Sequence, residues 1–424
     1  MAGPKYSATC SAPVNIAVIK YWGKRDTKLI LPTNDSLSVT LDQDHLRSVT
    51  TASADESYGG KDRLWLNGVE EEIAEQGRLR TCIDEMRKMR SDKEAGDDKL
   101  PKLSSWPLHI CSENNFPTAA GLASSASGFA ALIYTLATLF GLLPAVDNSQ
   151  LSRIARQGSG SACRSLFGGF VAWQGGEKAD GSDSLAVQVA SREHWPDLHA
   201  LICVVSDAKK GTPSTAGMQR TVATSPLLQH RIKDVVPARM KSISDAIQRR
   251  DFDSFAAITM ADSNNFHATC LDTTPPIFYM NDVSRAIVQL VEELNRASEE
   301  AGKGKVAAYT YDAGPNAVLY APKENVQLVL QLVRHYFPNA DFDDTFNLLG
   351  AGSGASHRGQ QAAVPLPSGL PSTFNSSVIP VHEAGAVRRL IHTQVGDGPR
   401  KLNDAECLLK EDGEPLRLAR AKRA

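Results

Sequence analysis

Paired cysteines, an excess of one charge and an uninterrupted apolar run are all missing from this sequence. Its seven cysteines, Cys10, Cys82, Cys111, Cys163, Cys203, Cys270 and Cys407, are scattered and form no C-x-x-C pair. Such an odd set offers neither a disulfide framework nor a zinc knuckle, and it fits a reducing compartment. The 46 Lys+Arg against 48 Asp+Glu leave a formal charge of −2. That balance argues against a general nucleic-acid binder, although local basic sites for a small anion stay open. The opening residues, MAGPKYSATC, lack the apolar core of a signal peptide. The one long apolar stretch, residues 129–146, just reaches spanning length, but Thr135, Thr138, Gly141 and Pro144 interrupt it. A buried core helix is the expectation there. None of the ten histidines has zinc partners at useful spacing. A cytoplasmic protein without membrane or nucleic-acid partners is expected.

At roughly 150 residues per domain, the length favours two domains and a tail, placed at 1–198, 199–350 and 351–424. Strand-like runs lie at 12–22, 36–41, 47–53 and 62–68, the last ending in the turn signal Asn67-Gly68. Helical spacing follows over 70–89, then a strand over 106–113. The clearest helix is 124–140, where Ala126, Phe129, Ala130, Ile133, Leu136, Ala137 and Phe140 share one face. A shorter helix opens at Asp147-Asn148-Ser149 and ends at Gly158, before a strand over 168–176. The second half alternates a buried strand (199–207), helices (237–262, 283–302, 324–337) and strands (306–314, 317–321). Residues 351–377, rich in Gly, Pro and Ser, read as an exposed loop, and 382–394 as a short helix. This interleaving suggests two α+β domains sharing a cleft.

Three segments carry the chemistry. Residues 114–128, NNFPTAAGLASSASG, place small residues directly before the clearest helix. A backbone of that kind can approach an anion closely, and a helix start turns free N–H groups and a dipole worth about 1 kcal/mol toward it. Taken alone, the loop equally suits tight helix packing. There is no G-x-x-x-x-G-K-[ST] loop and no G-x-G-x-x-G after a strand, so a nucleotide site would be of another kind. In the second segment, NIAVIKYWGKRD (15–26), a buried strand ends in two lysines, an arginine and two aromatics. Such an end is costly unless its charges meet water or anions. The third, GSGSACRSLFGG (158–169), is a Gly/Ser turn whose one arginine suits forked recognition of carboxylate or phosphate. Residues 312–316, DAGPN, read by themselves as a turn with Asp at its first position.

The loop Pro117 to Ala126 resembles the phosphate loop of the GHMP kinases. With KYWGKRD, GSGSACRS and the DAGPN turn, the chain resembles the mevalonate diphosphate decarboxylase branch of that superfamily, in its fungal type, from about residue 8 to 349. A weaker likeness continues through RLIHTQVG (389–396); the 351–377 insert departs from the pattern. The resemblance implies a two-domain α+β GHMP kinase fold, with an N-terminal domain like ribosomal protein S5 domain 2 and a ferredoxin-like C-terminal domain. It implies ATP-dependent decarboxylation of (R)-5-diphosphomevalonate to isopentenyl diphosphate, and assembly as a homodimer. A kinase of the same superfamily, such as phosphomevalonate kinase, is the nearest alternative. By resemblance, Asp312 would act on the C3 hydroxyl, Lys20 would lie beside it, and Arg164 would meet the carboxylate. Tyr21, Trp22, Gly23, Lys24, Arg78, Ser159, Gly160, Ser161, Ala162, Cys163 and Thr215 would hold the substrate. Pro117, Gly121, Leu122, Ala123, Ser124 and Ser125 would hold ATP. Mg2+ is implied for phosphoryl transfer, with no evident protein ligand.

Overall fold

The computed structural model describes residues 4–116, 124–208, 211–350, 355–358 and 364–418. Three main sheets organise the chain. The first has the order Arg400–Lys401, Ser7–Pro13, Arg47–Ala54, Leu108–Asn114, Arg63–Leu66, Val69–Glu71. Its inner face carries Ala12, Ala52 and Ala54, and the helix Ser124–Leu139 meets it with Ala130, Ala131 and Ala137. Small residues on both surfaces allow helix and sheet to approach closely, with Ile133, Leu136 and Phe140 filling the remaining space. The helices Arg78–Ala95 and Asn148–Gly158 complete this layer. Asp147 caps the latter in a reciprocal capping box with Gln150.

The second sheet, Ala186–Ala190, Phe170–Trp173, Ser36–Thr40, Asn15–Ile19, is wholly antiparallel. The third runs Ala308–Tyr311, Ala317–Pro322, Leu198–Val204, Arg389–Gln394, Asp341–Asp344, Ala355–His357. One continuous core joins these two sheets with the helices between them: Val14, Ile16, Val18, Leu37 and Val39 pack in the same cluster as Ile243, Phe255 and Tyr320. The strand Asn15–Ile19 is therefore buried along its whole length, which explains the apolar run that follows Asn15.

Several expected elements differ, among them the single strand over 12–22, which is divided between Ser7–Pro13 and Asn15–Ile19. Residues 389–394 form a central strand of the third sheet, where a helix was expected over 382–394. Leu390, Ile391, His392 and Thr393 are all buried, and a short buried run does not reveal its period. Pairing to Leu198–Val204 on one side and Asp341–Asp344 on the other decides it. The helix expected from 70 starts at Arg78, because Val69–Glu71 closes a hairpin through Asn67 (φ 49°) and Gly68 (φ 79°). The helix expected over 237–262 is two helices, Val236–Arg249 and Phe252–Leu271, broken at left-handed Arg250 and restarted by the Asp251 cap on the Ser254 N–H.

Candidate active site

Two buried strands end side by side. Asn15–Ile19 releases the chain at Lys20, and Ala308–Tyr311 releases it at Asp312. Lys20 Nζ donates to Asp312 Oδ1 at 2.6 Å. The lysine side chain is 3% exposed and the aspartate 31%, so the pair opens to solvent on the carboxylate side. Burial pulls the Lys20 ammonium below its ordinary range, and Asp312 is the strongest opposing influence. The DAGPN turn is held at both ends. The Gly314 N–H donates to the Asp312 carbonyl at 2.7 Å. Asn316 Oδ1 accepts from the N–H groups of Val205 and Ser206 at 2.7 and 3.0 Å, which ties the turn to the end of Leu198–Val204.

Arg164 enters from the 3₁₀ stretch Gly160–Leu166. Its Nη1 donates to Ser36 Oγ at 2.5 Å, and its Nε to Ser38 Oγ at 3.0 Å and Asn15 Oδ1 at 3.2 Å. These partners are neutral, and burial lowers the guanidinium's proton affinity. Four cations (Lys20, Lys24, Arg78 and Arg164) and one carboxylate, Asp312, line a cleft of about 280 Å³. Burial first, then neighbouring Arg78, pulls the Lys24 ammonium down. A cleft with this surplus of positive charge suits a small ligand carrying several negative charges.

The Diphosphomevalonate decarboxylase-like N-terminal domain model matches residues 12–186, and the Mevalonate 5-diphosphate decarboxylase C-terminal domain model matches 200–402. A diphosphomevalonate decarboxylase of Ganoderma lucidum is 66% identical over 97% of this chain and 99% of its own length. The chain belongs to the mevalonate diphosphate decarboxylase family. A solved mevalonate 5-diphosphate decarboxylase is 47% identical with a TM-score of 0.81, over 96% of this chain and 98% of its own. A solved complex of MDDEF with MVAPP, AMPPCP and magnesium is 29% identical with a TM-score of 0.68, over 94% of this chain and 99% of its own. The architecture is accordingly the two-domain α+β fold of the GHMP kinases.

Within this decarboxylase-family cleft, the structure brings together Lys20, Tyr21, Trp22, Lys24, Arg78 and Arg164. Ser125, Ser159, Gly160, Ser161, Thr215 and Asp312 also line it. Gly160 lies so close beneath Tyr21 that a Cβ there would sit 2.8 Å from the ring. Trp22 is fixed from behind: its Nε1 donates to Thr221 Oγ1 at 3.0 Å and its ring meets Phe266 edge-on. Gly23, Ala162 and Cys163 do not line the cleft. Gly23 takes φ +98° under Thr33, while Ala162 and Cys163 are fully buried behind it. Pro117, Gly121, Leu122 and Ala123 lie outside the described residues. Ser124 lines a second, apolar cavity of about 290 Å³ with Leu64, Leu79, Ile110, Phe129 and Leu132. Ser125 borders both cavities.

Residues in and around the cleft were not all anticipated as site residues. Asn15 also donates to the Ser161 carbonyl at 3.1 Å and Ser165 Oγ at 2.7 Å, bracing the arginine's neighbourhood. Ser36 and Ser38 alternate with the apolar Leu37 and Val39 on a strand, and that period was their only signal. Behind Lys20 lies His267, with Nε2 buried and unpartnered. Burial, and then Lys20, pushes this imidazole down to about 4. The folded state therefore holds it neutral where an unfolded chain would protonate it. Stability should be full above about pH 6.5 and fall toward pH 4, by on the order of 3 kcal/mol from this group. Urea midpoints measured between pH 7 and 4 should drop, less steeply in His267→Gln; an equal slope in that variant would remove His267 from the explanation.

Proposed function

We propose that this protein uses ATP to convert (R)-5-diphosphomevalonate into isopentenyl diphosphate, ADP, phosphate and CO2. The observation that carries this reading is the Lys20–Asp312 pair, opening on its carboxylate side into a cleft whose other charges are cationic. Three demands of the reaction suit the residues. The tertiary C3 hydroxyl must lose its proton as it accepts the γ-phosphoryl group, and Asp312 offers the carboxylate to receive or orient it. Lys20 pairs with that carboxylate and stands beside the transferring phosphoryl. Phosphate then departs with the C3–O electrons, and the C1–C2 electrons released with CO2 close the new double bond. Once the proton has passed on to the phosphate, positive charge developing at C3 faces the Asp312 carboxylate again. Arg164 would hold the substrate carboxylate, and Lys24 and Arg78 the diphosphate.

The two cavities meeting at Ser125 support a two-substrate arrangement. The apolar cavity beside the start of helix Ser124–Leu139 suits a nucleotide base and sugar. Phosphates would pass Ser125 and Ser159, whose hydroxyls lie 3.1 Å apart, toward C3. The described residues contain no cluster of three or more His, Cys, Asp or Glu side chains able to hold a metal. The oxygen donors facing the cleft, Asp312 and the hydroxyls of Ser125 and Ser159, fit a Mg2+ ion carried mainly by nucleotide phosphates and water. When bound, Mg2+ would neutralise phosphate charge during transfer. The reading includes a cytoplasmic homodimer, on the strength of the family resemblance. Among the described residues, no helix is long and apolar enough to cross a membrane.

Incubation with ATP, Mg2+ and C1-labelled 5-diphosphomevalonate should release ADP and labelled CO2 in equal amounts. ADP without CO2 would make the protein a kinase.

A further inference from the structure

We propose that Asp262 and Arg231 are positioning residues: a buried ion pair from the second half of the chain that fixes the Lys20 backbone and so aims its ammonium at Asp312. The proposal rests on the reading of Lys20 given above. Asp262 lies on the helix Phe252–Leu271, and Arg231 opens the π-helical turn Arg231–Val235. Neither side chain has any exposed surface. The guanidinium grips the carboxylate through two bonds, Nη1 to Oδ1 at 2.8 Å and Nη2 to Oδ2 at 2.9 Å. Arg239 adds a third at 3.1 Å.

Arg231 Nη1 also donates to Asn265 Oδ1 at 2.7 Å, and further bonds of the pair reach across to Lys20. The Lys20 N–H donates to Asp262 Oδ2 at 2.7 Å. Arg231 Nη2 donates to the Lys20 carbonyl at 3.0 Å, beside Asn34 Nδ2 at the same distance. The position of this grip gives it its meaning. Pairing of Asn15–Ile19 with Ser36–Thr40 ends at Ile19 opposite Leu37. Lys20 is the first residue past the ladder; without the ion pair its N–H would lose this acceptor and its carbonyl would be held by Asn34 alone. The ion pair takes over both, so the lysine leaves the sheet in one direction.

A purely stabilising role explains the arrangement poorly. An ion pair removed wholly from water is seldom more stable than packed apolar residues of similar volume. The π-helical turn that presents Arg231 likewise departs from regular helix, a feature frequent at functional sites. Orientation supplies the missing reason, since misplacing a reacting group by an ångström can cost about 10²-fold in rate.

The test compares Asp262→Asn, Arg231→Lys and the apolar double variant Asp262→Leu/Arg231→Met with wild type, using ATP, Mg2+ and 5-diphosphomevalonate. Urea midpoints establish folding, and kcat and KM are read separately. Asp262→Asn and the double variant should fold and lose at least about tenfold in kcat, with KM for the diphosphate moving less than about threefold. Arg231→Lys, which keeps the charge, should lie between them and wild type. A folded Asp262→Asn or double variant with kcat within about threefold of wild type would overturn the proposal. So would failure of all three to fold, which would make the pair a structural element. Wild type that forms neither ADP nor CO2 would overturn the functional reading together with this one.

Discussion

Asp312→Asn should lower kcat for CO2 release by about 10³-fold while leaving the fold intact. Asparagine has the same shape, and its side-chain oxygen can still accept from Lys20 Nζ, so the turn tied down by Asn316 should hold its place. Two properties vanish with the charge. The side chain can no longer take the C3 hydroxyl proton, and it no longer opposes positive charge at C3. The change also leaves Lys20 as a buried cation without its main counter-charge, which should cost about 1–3 kcal/mol of stability. Adding Lys20→Met to Asp312→Asn should recover most of that stability and none of the turnover. Single-turnover assays and urea midpoints measure the two effects independently. Turnover by Asp312→Asn within about tenfold of wild type would exclude the aspartate from proton transfer.

Arg164→Gln should separate binding from folding in the opposite sense. The guanidinium is buried among Ser36, Ser38 and Asn15, and no carboxylate pairs with it among the described residues. An unneutralised buried cation weighs on the empty protein, and an anionic substrate relieves the burden. Glutamine keeps hydrogen-bonding capacity without charge. The variant should unfold at a urea concentration equal to or above wild type. It should lose about 10²- to 10³-fold in kcat/KM, or about 3–4 kcal/mol of transition-state stabilisation. Substrate should also stop raising its melting temperature. A variant less stable than wild type with unaltered substrate stabilisation would assign Arg164 to the scaffold instead.

Lys20 and Arg164, which these two predictions use, were legible because each sits in a short local pattern. KYWGKRD ends a buried strand in cations, and GSGSACRS offers one arginine in a Gly/Ser turn. Asp312 was legible only by resemblance; alone, DAGPN is a turn, and the structure indeed makes it one. Asp262 and Arg231 had no such signal. They lie 242 and 211 residues from the lysine they hold; Asp262 closes the helix expected over 237–262, and Arg231 precedes it, where no element was expected. The helix at 124–140 and the strand at 36–41 were readable because each exposes a period to one core face. The strand Arg389–Gln394 was not, because burial on both faces erases its alternation and only its neighbours define it.

That strand's position has a consequence for synthesis. Leu198–Val204 and Asp341–Asp344 flank it, so the third sheet keeps an open slot until the ribosome has passed residue 394, some 190 residues after Val204. During that interval Leu198–Val204, apolar and destined for the sheet interior, presents a bare edge to any passing strand. A nonsense codon between residues 345 and 388 would make that interval permanent. The product should then accumulate in inclusion bodies or be degraded, even though every residue proposed here for chemistry had already been translated.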